Sequence, residues 1–240
     1  MSKKIIVLDT EGMSGKRPYD IGYIIADFKG NIYAERSFAC LPCVWENLAT
    51  SMKTALESVR EMTHKNIKEI LETPDKYNWS TIEQIRNTLI DDVLAFKVSE
   101  IWAYNCSFDK GMMSRLFDDD TMTKINCDWL DIWSAIVMTK CLSKKYVKFC
   151  KENGFMTEKG NCKTSAEVVY AYLTNNTNFV EEHTGLSDAK IEYDILMMAK
   201  KTKNPSRMRK NPESTRLKEC CSVSLIRISD ADATATSKKR

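Results

Sequence analysis

The chain has 240 residues, of which 43% are hydrophobic and 29% charged, so it is long enough for one domain with a substantial core. No stretch approaches the roughly 20 apolar residues of a membrane helix, and the first residues do not resemble a secretion signal. These features favour a cytoplasmic protein that does not bind a membrane. The net charge of +3 is uneven, because residues 200–240 contain 12 Lys and Arg against 4 Asp and Glu.

The N-terminal part predicts three strands and then helices. KKIIVLD (3–9) is typical of a buried strand, and the alternating segments 20–28 and 31–38 flank Lys29 and Gly30 as a hairpin does. Helices are predicted at 45–62, 65–72 and 80–96. The third has Ser80 and Glu83 in the positions of a capping box. Its predicted core face consists of Ile82, Ile85, Leu89, Val93 and Phe96.

In the second half, strands alternate with helices. Strands are predicted at 100–104 and 124–130, and helices at 107–117, 131–142, 143–154, 164–173 and from about 187 to 200. Thr164 and Glu167 suit a capping box, and Ser187 or Asp188 can cap the last helix. The last helix has a predicted core face of Ile191, Ile195, Met198 and Ala199.

This order of elements predicts an α/β fold in which helices cover a mixed sheet, with three antiparallel strands first and alternating strands and helices after them. The predicted domain spans residues 1–203. Residues 204–240 have little periodicity and predict a basic, disordered tail. By its charge the tail either holds nucleic acid or is a solvated extension without a partner.

Three acidic segments occupy the positions where such a fold can place a site. Asp9 and Glu11 end the first strand, and residues two apart on a strand point to the same side. Asp109 lies in the first turn of the helix that follows a later strand, and His183 and Asp188 precede or open the last helix. Each has an ordinary structural explanation as well: an acidic turn, an acid favoured by the helix dipole, a surface histidine and a helix cap.

Taken in order, these segments resemble the DEDDh family of 3′-to-5′ exonucleases in the ribonuclease-H-like superfamily. That family includes the proofreading subunit of bacterial DNA polymerase III, ribonuclease T and oligoribonuclease. The matching text is VLDTEG, AYNCSFDKGMM and EEHTGLSDA, with weaker matches at DIGYIIAD and at Asp131, over residues 5–200. Gly12, Tyr104 and Gly185 differ from the residues common in the family, which are threonine, histidine and alanine.

The resemblance implies a ribonuclease-H-like fold and two divalent ions, Mg²⁺ or Mn²⁺. By the same resemblance, the metal ligands are Asp9, Glu11, Asp109 and Asp188. Hard cations prefer such carboxylate oxygens, and a pair of them can neutralise a phosphodiester and activate water. His183 is implied as the general base, carried on a mobile loop, since an imidazole accepts a proton near neutral pH.

Residues implied to contact the terminal nucleotide are Thr10, Gly12, Asn105 and Phe108, although the helical spacing of Phe108 makes a core position the better interpretation for that residue. The implied substrate is the 3′ end of single-stranded or frayed DNA or RNA, cleaved to nucleoside 5′-monophosphates, with a possible role beside a replication or repair protein. Two alternatives are a phosphodiesterase for small or cyclic nucleotides and a non-catalytic nucleic-acid-binding module. The nine cysteines predict reduced thiols, and the single Cys40-x-x-Cys43 spacing is interpreted as incidental.

Overall fold

The computed structural model of the chain describes residues 2–13, 15–54 and 61–201. The predicted basic tail at 204–240 lies outside these residues, and so do residues 55–60 of the helix predicted at 45–62. In the described part, no helix is both long enough and apolar enough to cross a membrane.

Six strands form one mixed sheet in the order β4-β3-β2-β1-β5-β6. They are β1 (Lys4–Gly12), β2 (Pro18–Asp27), β3 (Ile32–Cys40), β4 (Trp79–Ser80), β5 (Glu100–Ala103) and β6 (Asp128–Asp131). β2 is antiparallel to β1 and β3, whereas the β3–β4, β1–β5 and β5–β6 pairs are parallel. The predicted hairpin and the predicted mixed sheet are therefore confirmed. Five of these strands consequently have their carboxyl ends at the same edge of the sheet.

Helices flank the sheet on both faces. They are α1 (Leu41–Thr54), α2 (Glu61–Glu72), α3 (Ile82–Phe96), α4 (Ser107–Leu116), α5 (Asp119–Ile125), α6 (Ile132–Ile136), α7 (Lys144–Glu152), α8 (Ala166–Thr174) and α9 (Gly185–Lys200). A short 3-10 turn at Pro74–Lys76 precedes β4, and a π-helical segment at Val137–Cys141 follows α6.

The β1 strand separates two hydrophobic cores. Its continuous apolar run is buried on both faces, as is usual for a central strand of a sheet that helices cover on both sides. Ile6 and Leu8 face the core formed with α1 to α5, and Ile5 and Val7 face the core formed with α6 to α9. This alternation decides which helices the polar residues at the end of β1 meet.

Helix α3 begins with a capping box one residue later than predicted. Thr81 Oγ1 accepts a hydrogen bond from the Gln84 backbone, and the Gln84 side chain accepts one from the Thr81 backbone. The predicted pair Ser80 and Glu83 is wrong, because Ser80 still belongs to β4 and pairs with Cys40.

A buried carboxylate attaches α3 to the sheet. Asp92 receives two hydrogen bonds from the Arg36 guanidinium, at 2.9 and 3.0 Å, and a third from the Tyr23 hydroxyl at 2.9 Å. Such bidentate, charge-assisted pairs are among the stronger polar contacts in proteins. Burial and the neighbouring Asp92 charge raise the pKa of Tyr23, so the phenol remains a donor at all ordinary pH values.

Several local predictions in the second half are wrong. Part of the segment predicted as a strand at 124–130 is the end of α5, and β6 begins only at Asp128. Thr164 and Glu167 do not form a capping box: the N-cap of α8 is Ser165, and Thr164 instead accepts a hydrogen bond from Trp133 Nε1 at 3.0 Å.

Helix α9 also differs from its prediction. It begins at Gly185, after Thr184, so Asp188 lies inside the first turn and is not a cap. Its buried residues include Ile195 and Ala199, as predicted, but Ile191 and Met198 are only partly buried. The remaining buried positions of α9 are Gly185, Asp188, Ala189, Glu192, Tyr193 and Leu196.

Cys40 and Cys43 are both fully buried, with their sulfur atoms 3.3 Å apart, at the junction of β3 and α1. Among the described residues, the cysteines are free thiols, in line with the predicted reduced state. The two side chains form part of the core that β2 and β3 share with α1.

Candidate metal centre

The ends of β1 and β5 place the first three predicted acids at one edge of the sheet. Because β1 and β5 are parallel neighbours, Asp9 and Glu11 at the end of β1 lie beside the segment that follows β5. That segment enters α4, which carries Asp109 in its first turn. The sheet therefore brings together two sequence segments about 100 positions apart.

Asp109 is held against β1 by two hydrogen bonds to one residue. Its Oδ1 accepts from the backbone N–H of Thr10 at 3.0 Å and from the Thr10 hydroxyl at 2.8 Å. Asp109 is 1% exposed and Thr10 is 3% exposed. The Thr10 side chain thus orients Asp109, a role that the predicted contact with a nucleotide did not include.

Glu11, His183 and Asp188 converge at one point. One ligand atom from each of the three side chains lies within 4.8 Å of the other two. His183 has a φ of 56°, a left-handed conformation that is uncommon for residues other than glycine. The surrounding structure must hold this backbone in place, which turns the imidazole toward the two carboxylates.

A close approach between α9 and the strands makes this convergence possible. Gly22 pairs with Asp9 across β1 and β2, and a Cβ atom at Gly22 would overlap the backbone of Gly185 and Leu186. A Cβ atom at Gly185 would in turn lie 3.1 Å from the Asp9 carbonyl oxygen and overlap the Gly22 nitrogen. Glycine at both positions lets the first turn of α9 rest directly on the strand backbone.

Asp20, which the sequence analysis did not identify, fixes the start of α9. It pairs with Glu11 across β1 and β2, and its Oδ2 accepts a hydrogen bond from the Gly185 backbone N–H at 3.3 Å. The N-cap residue Thr184 makes no side-chain capping bond. A carboxylate from a neighbouring strand therefore satisfies a free N–H at the start of the helix that carries Asp188.

The cluster is strongly unfavourable for negative charge without a cation. Burial, with the Asp188 charge as the next cause, raises the pKa of Glu11 to about 8. Burial also raises the pKa of Asp109 to about 7 and, together with the Glu181 charge, that of Asp188 to about 7. The pKa of Asp9 is raised well above its ordinary value by burial and by the surrounding acids.

The donor set fits hard divalent cations. Asp9 Oδ2 and Asp188 Oδ1 are buried and have no hydrogen-bond partner, although buried polar atoms normally have one. Unpaired carboxylate oxygens next to Glu11 and Asp109 form the kind of oxygen-rich site that Mg²⁺ and Mn²⁺ prefer. Asp9, Glu11, Asp109 and Asp188 are the residues that would hold such ions.

The cluster contains a fifth acid, Glu192, which was not identified from the sequence. It lies one helical turn after Asp188, is 3% exposed, and accepts a hydrogen bond from the Tyr104 backbone N–H at 3.2 Å. Burial and the Asp109 charge raise its pKa well above the ordinary value. In the sequence it resembles any acid of a solvated helix, and only its spacing from Asp188 could have suggested a common face.

Residues near the end of β5 are tied to β6 and α8. Asn105 has a φ of 60°, and its backbone N–H donates to Asp131 Oδ1 at 3.0 Å. The Tyr104 hydroxyl donates to the Thr164 carbonyl at 2.6 Å, so this side chain anchors the segment just before α8. Asp131, the weaker sequence match, acts here as the N-cap of α6 and as a support for the loop after β5.

The remaining predicted nucleotide contacts are Gly12 and Phe108. Gly12 is tightly surrounded, since a Cβ atom there would lie 3.1 Å from Pro18 Cα and 3.2 Å from Met112 Cε. Phe108, next to Asp109, is 37% exposed, which decides against the alternative that it belongs to the core.

Two more apolar side chains are exposed on the first turns of α1, which starts directly after β3 at the same edge of the sheet. Leu41 is 43% exposed and Trp45 is 55% exposed. Asn47 Nδ2 donates to the Arg17 carbonyl at 3.1 Å and so holds α1 against the segment between β1 and β2. An exposed tryptophan at this edge of the sheet was not identified from the sequence.

No protein-family model matches this chain, and a search of curated proteins finds no match to it. The functional inference therefore rests on the chain's own residues, their geometry and the resemblance of three motifs.

Proposed function

We propose that the protein is a metal-dependent 3′-to-5′ exonuclease of the DEDDh type, with a ribonuclease-H-like fold. The observation that carries this proposal is the convergence of Glu11, His183 and Asp188 within 4.8 Å beside the unpaired oxygen of Asp9. An imidazole among carboxylates provides a proton acceptor next to ligands for divalent cations, a combination that suits phosphodiester hydrolysis. The strand order, with β2 antiparallel to the other five described strands, is compatible with the proposed fold.

Each side chain has a distinct part in this proposal. Two bound divalent ions would neutralise the phosphate and lower the pKa of water at the site. Asp9 is near enough to Asp109, Glu11 and Asp188 for their charges to raise its pKa, so it can share a cation with them. His183, whose imidazole faces Glu11 and Asp188, accepts the proton of the attacking water.

The preference for a strand end is taken from the family resemblance, and the exposed apolar residues support a single-stranded substrate. Aromatic side chains bind single strands by stacking on bases, largely independently of base sequence. Trp45 and Phe108 offer such faces at the edge that carries the acids. We expect Trp45→Ala to raise the KM for a single-stranded substrate about tenfold and leave kcat nearly unchanged.

The proposal is tested with short single strands of DNA and RNA labelled at the 5′ end, incubated with Mn²⁺ or Mg²⁺. A 3′-to-5′ exonuclease produces a ladder of labelled products that shortens one nucleotide at a time, together with unlabelled nucleoside 5′-monophosphates. Cyclic and linear dinucleotides are tested in parallel. Cleavage of those alone, or internal cuts in the strands, would contradict the proposal.

Variants connect the activity to the site. Asp9→Asn should abolish cleavage, whereas Asp91→Asn, at an exposed position on α3, should not change it. The chain has a second histidine, His64 in α2, so His64→Ala serves as the control for His183→Ala. Equal activity in the Asp9→Asn variant and the wild type would show that a contaminating nuclease, or another site, produces the cleavage.

A further inference from the structure

The Glu192 carboxylate occupies the place where two strands of the sheet separate. Pairing between β1 and β5 ends with Val7 opposite Trp102, so Asp9 and Tyr104, two residues further along, lie beyond the last pair. On the other side, β5 remains paired with β6 up to Ala103. The Tyr104 backbone N–H therefore has no place in the β1–β5 ladder, and it donates to Glu192 Oε2 at 3.2 Å.

Helix α9 brings Glu192 to this gap from the face that Asp9 shares. Ile5 and Val7 pack against Ile195 and Leu196 of α9 in one core, and alternation along β1 places Asp9 on the same face. Glu192 precedes Ile195 by one turn and is 3% exposed. In agreement with this placement, the Glu192 charge is the neighbouring charge that most raises the pKa of Asp9.

The contact between Tyr104 and Glu192 links two of the proposed metal ligands, Asp109 and Asp188. Asp188 and Glu192 are one turn apart on α9, and Tyr104 is five residues before Asp109 at the junction of β5 and α4. A movement of Tyr104 away from α9 would change the distance between Asp109 and Asp188. Mutation of residues that orient metal ligands commonly lowers metal affinity or activity about 10- to 100-fold.

We propose that Glu192 is a positioning residue: by accepting a hydrogen bond from the Tyr104 backbone, it holds the end of β5 against α9 and so places Asp109 relative to Asp9 and Asp188. This inference rests on the proposed function, because it concerns the same metal site. Its direct readout is metal binding, which is measured without any nucleic acid.

The test compares Glu192→Gln with Glu192→Met by titration calorimetry with Mn²⁺. The glutamine amide oxygen still accepts from Tyr104, so the affinity should remain within about threefold of wild type. Methionine has a similar length and no carbonyl acceptor, so the affinity should fall about 10- to 100-fold, and kcat with it. Asp194→Leu, at an exposed position of the same helix, is the control and should leave binding unchanged.

Hydrogen exchange of the Tyr104 amide gives a second measurement. The amide should exchange slowly in the wild type and in Glu192→Gln, and faster in Glu192→Met. Thermal unfolding should show Glu192→Met close to the wild type, since removing a buried acid offsets the loss of one acceptor for the Tyr104 N–H. Weaker metal binding in a protein of undiminished stability separates positioning from a general loss of structure.

Three outcomes would overturn the inference. Equal impairment of the Gln and Met variants would mean that the negative charge of Glu192 is required, as for a metal ligand. If Glu192→Met does not fold, a tenfold loss of Mn²⁺ affinity in Glu192→Gln alone would show that the negative charge is required. Unchanged Mn²⁺ binding in Glu192→Met refutes only the inference, whereas a wild-type protein that binds no Mn²⁺ refutes the proposed function as well.

Discussion

Metal binding at this site should release protons, because the ligands hold protons at neutral pH when no metal is present. Carboxylates bind Mg²⁺ or Mn²⁺ only in the ionised form, so each protonated ligand must lose its proton on binding. The pKa of Glu11 is raised to about 8, and the pKa values of Asp109 and Asp188 are raised to about 7. At pH 7, Glu11 is therefore mostly protonated, and each aspartate is about half protonated.

From these three groups we expect a release of about two protons at pH 7 when the site is filled. The same linkage makes the affinity depend on pH: between pH 6 and pH 7 the apparent affinity for Mn²⁺ should rise roughly 300-fold. This dependence can be measured on the wild-type protein by changing the pH alone. Asp9 adds further protons, since its pKa is raised as well.

The assay is titration calorimetry with Mn²⁺ in two buffers of different ionisation enthalpy at the same pH. The difference between the two observed enthalpies gives the number of protons released. Asp188→Asn should reduce this number, because one titrating ligand is lost, and Asp194→Asn at an exposed position should not. A release below half a proton, or an affinity that is flat between pH 6 and pH 7, would refute the electrostatic reasoning.

The same pKa shifts predict how the metal-free protein responds to pH. The folded-state pKa values of these acids are higher than those of the unfolded chain, so between about pH 4 and pH 8 the folded protein binds more protons. Stability without metal should therefore be greatest near the acidic end of this window and fall as the pH rises through 7 to 8. Saturating Mn²⁺ should reverse the trend, which thermal unfolding at pH 5.5 and pH 8 will show.

Further substitutions test other contacts of the structure. Gly22→Ala should destabilise the protein by about 3 kcal/mol in denaturant melts, because the added methyl group overlaps the start of α9. The control is Gly111→Ala, inside α4 with only an ordinary van der Waals contact at 3.4 Å, which should be neutral or stabilising by about 0.5 kcal/mol. Similar melts for both variants would contradict the close approach between α9 and β2. His183→Ala should retain Mn²⁺ binding and lower turnover about 10²- to 10⁴-fold in the strand-cleavage assay, and wild-type turnover would remove His183 from the proposed mechanism. Asp92→Ala should lower the free energy of unfolding by about 2 kcal/mol, because it leaves the buried donors of Tyr23 and Arg36 unpaired. Asp91→Ala, at an exposed position, should change it by less than about 0.5 kcal/mol. Equal effects of the two variants would argue that Asp92 does not attach α3 to the sheet.

Local patterns in the sequence were sufficient for the features that depend on neighbours along the chain. The hairpin around Gly30 and the apolar run of β1 follow from residue alternation and turn chemistry, which act over a few residues. The same local rules were unreliable by up to four residues at helix starts. The capping box of α3 falls on Thr81, and α9 starts at Gly185, because β4 pairing and the Asp20 carboxylate decide where these helices can begin.

The order of the acidic segments was also readable from the sequence, and the structure places Asp9, Glu11, Asp109, His183 and Asp188 at one edge of the sheet. Their roles as ligands and base remain predictions. The Thr10 hydroxyl shows the difference between placement and role. Its position beside the acids agrees with the motif, but its contact is with Asp109, which only a folded chain can reveal.

The surroundings of these acids depend on tertiary packing, which the local sequence does not determine. Glu192 and Asp20 have no local signal, since an acid on a helix or at a strand start is usually solvated. Their burial follows from the packing of α9 on β1 and β2, which requires the glycine pair of Gly22 and Gly185 to meet across 163 positions of the chain. A pattern of neighbouring residues carries no information about such a contact, because the free energy that fixes it comes from surfaces that meet only after folding.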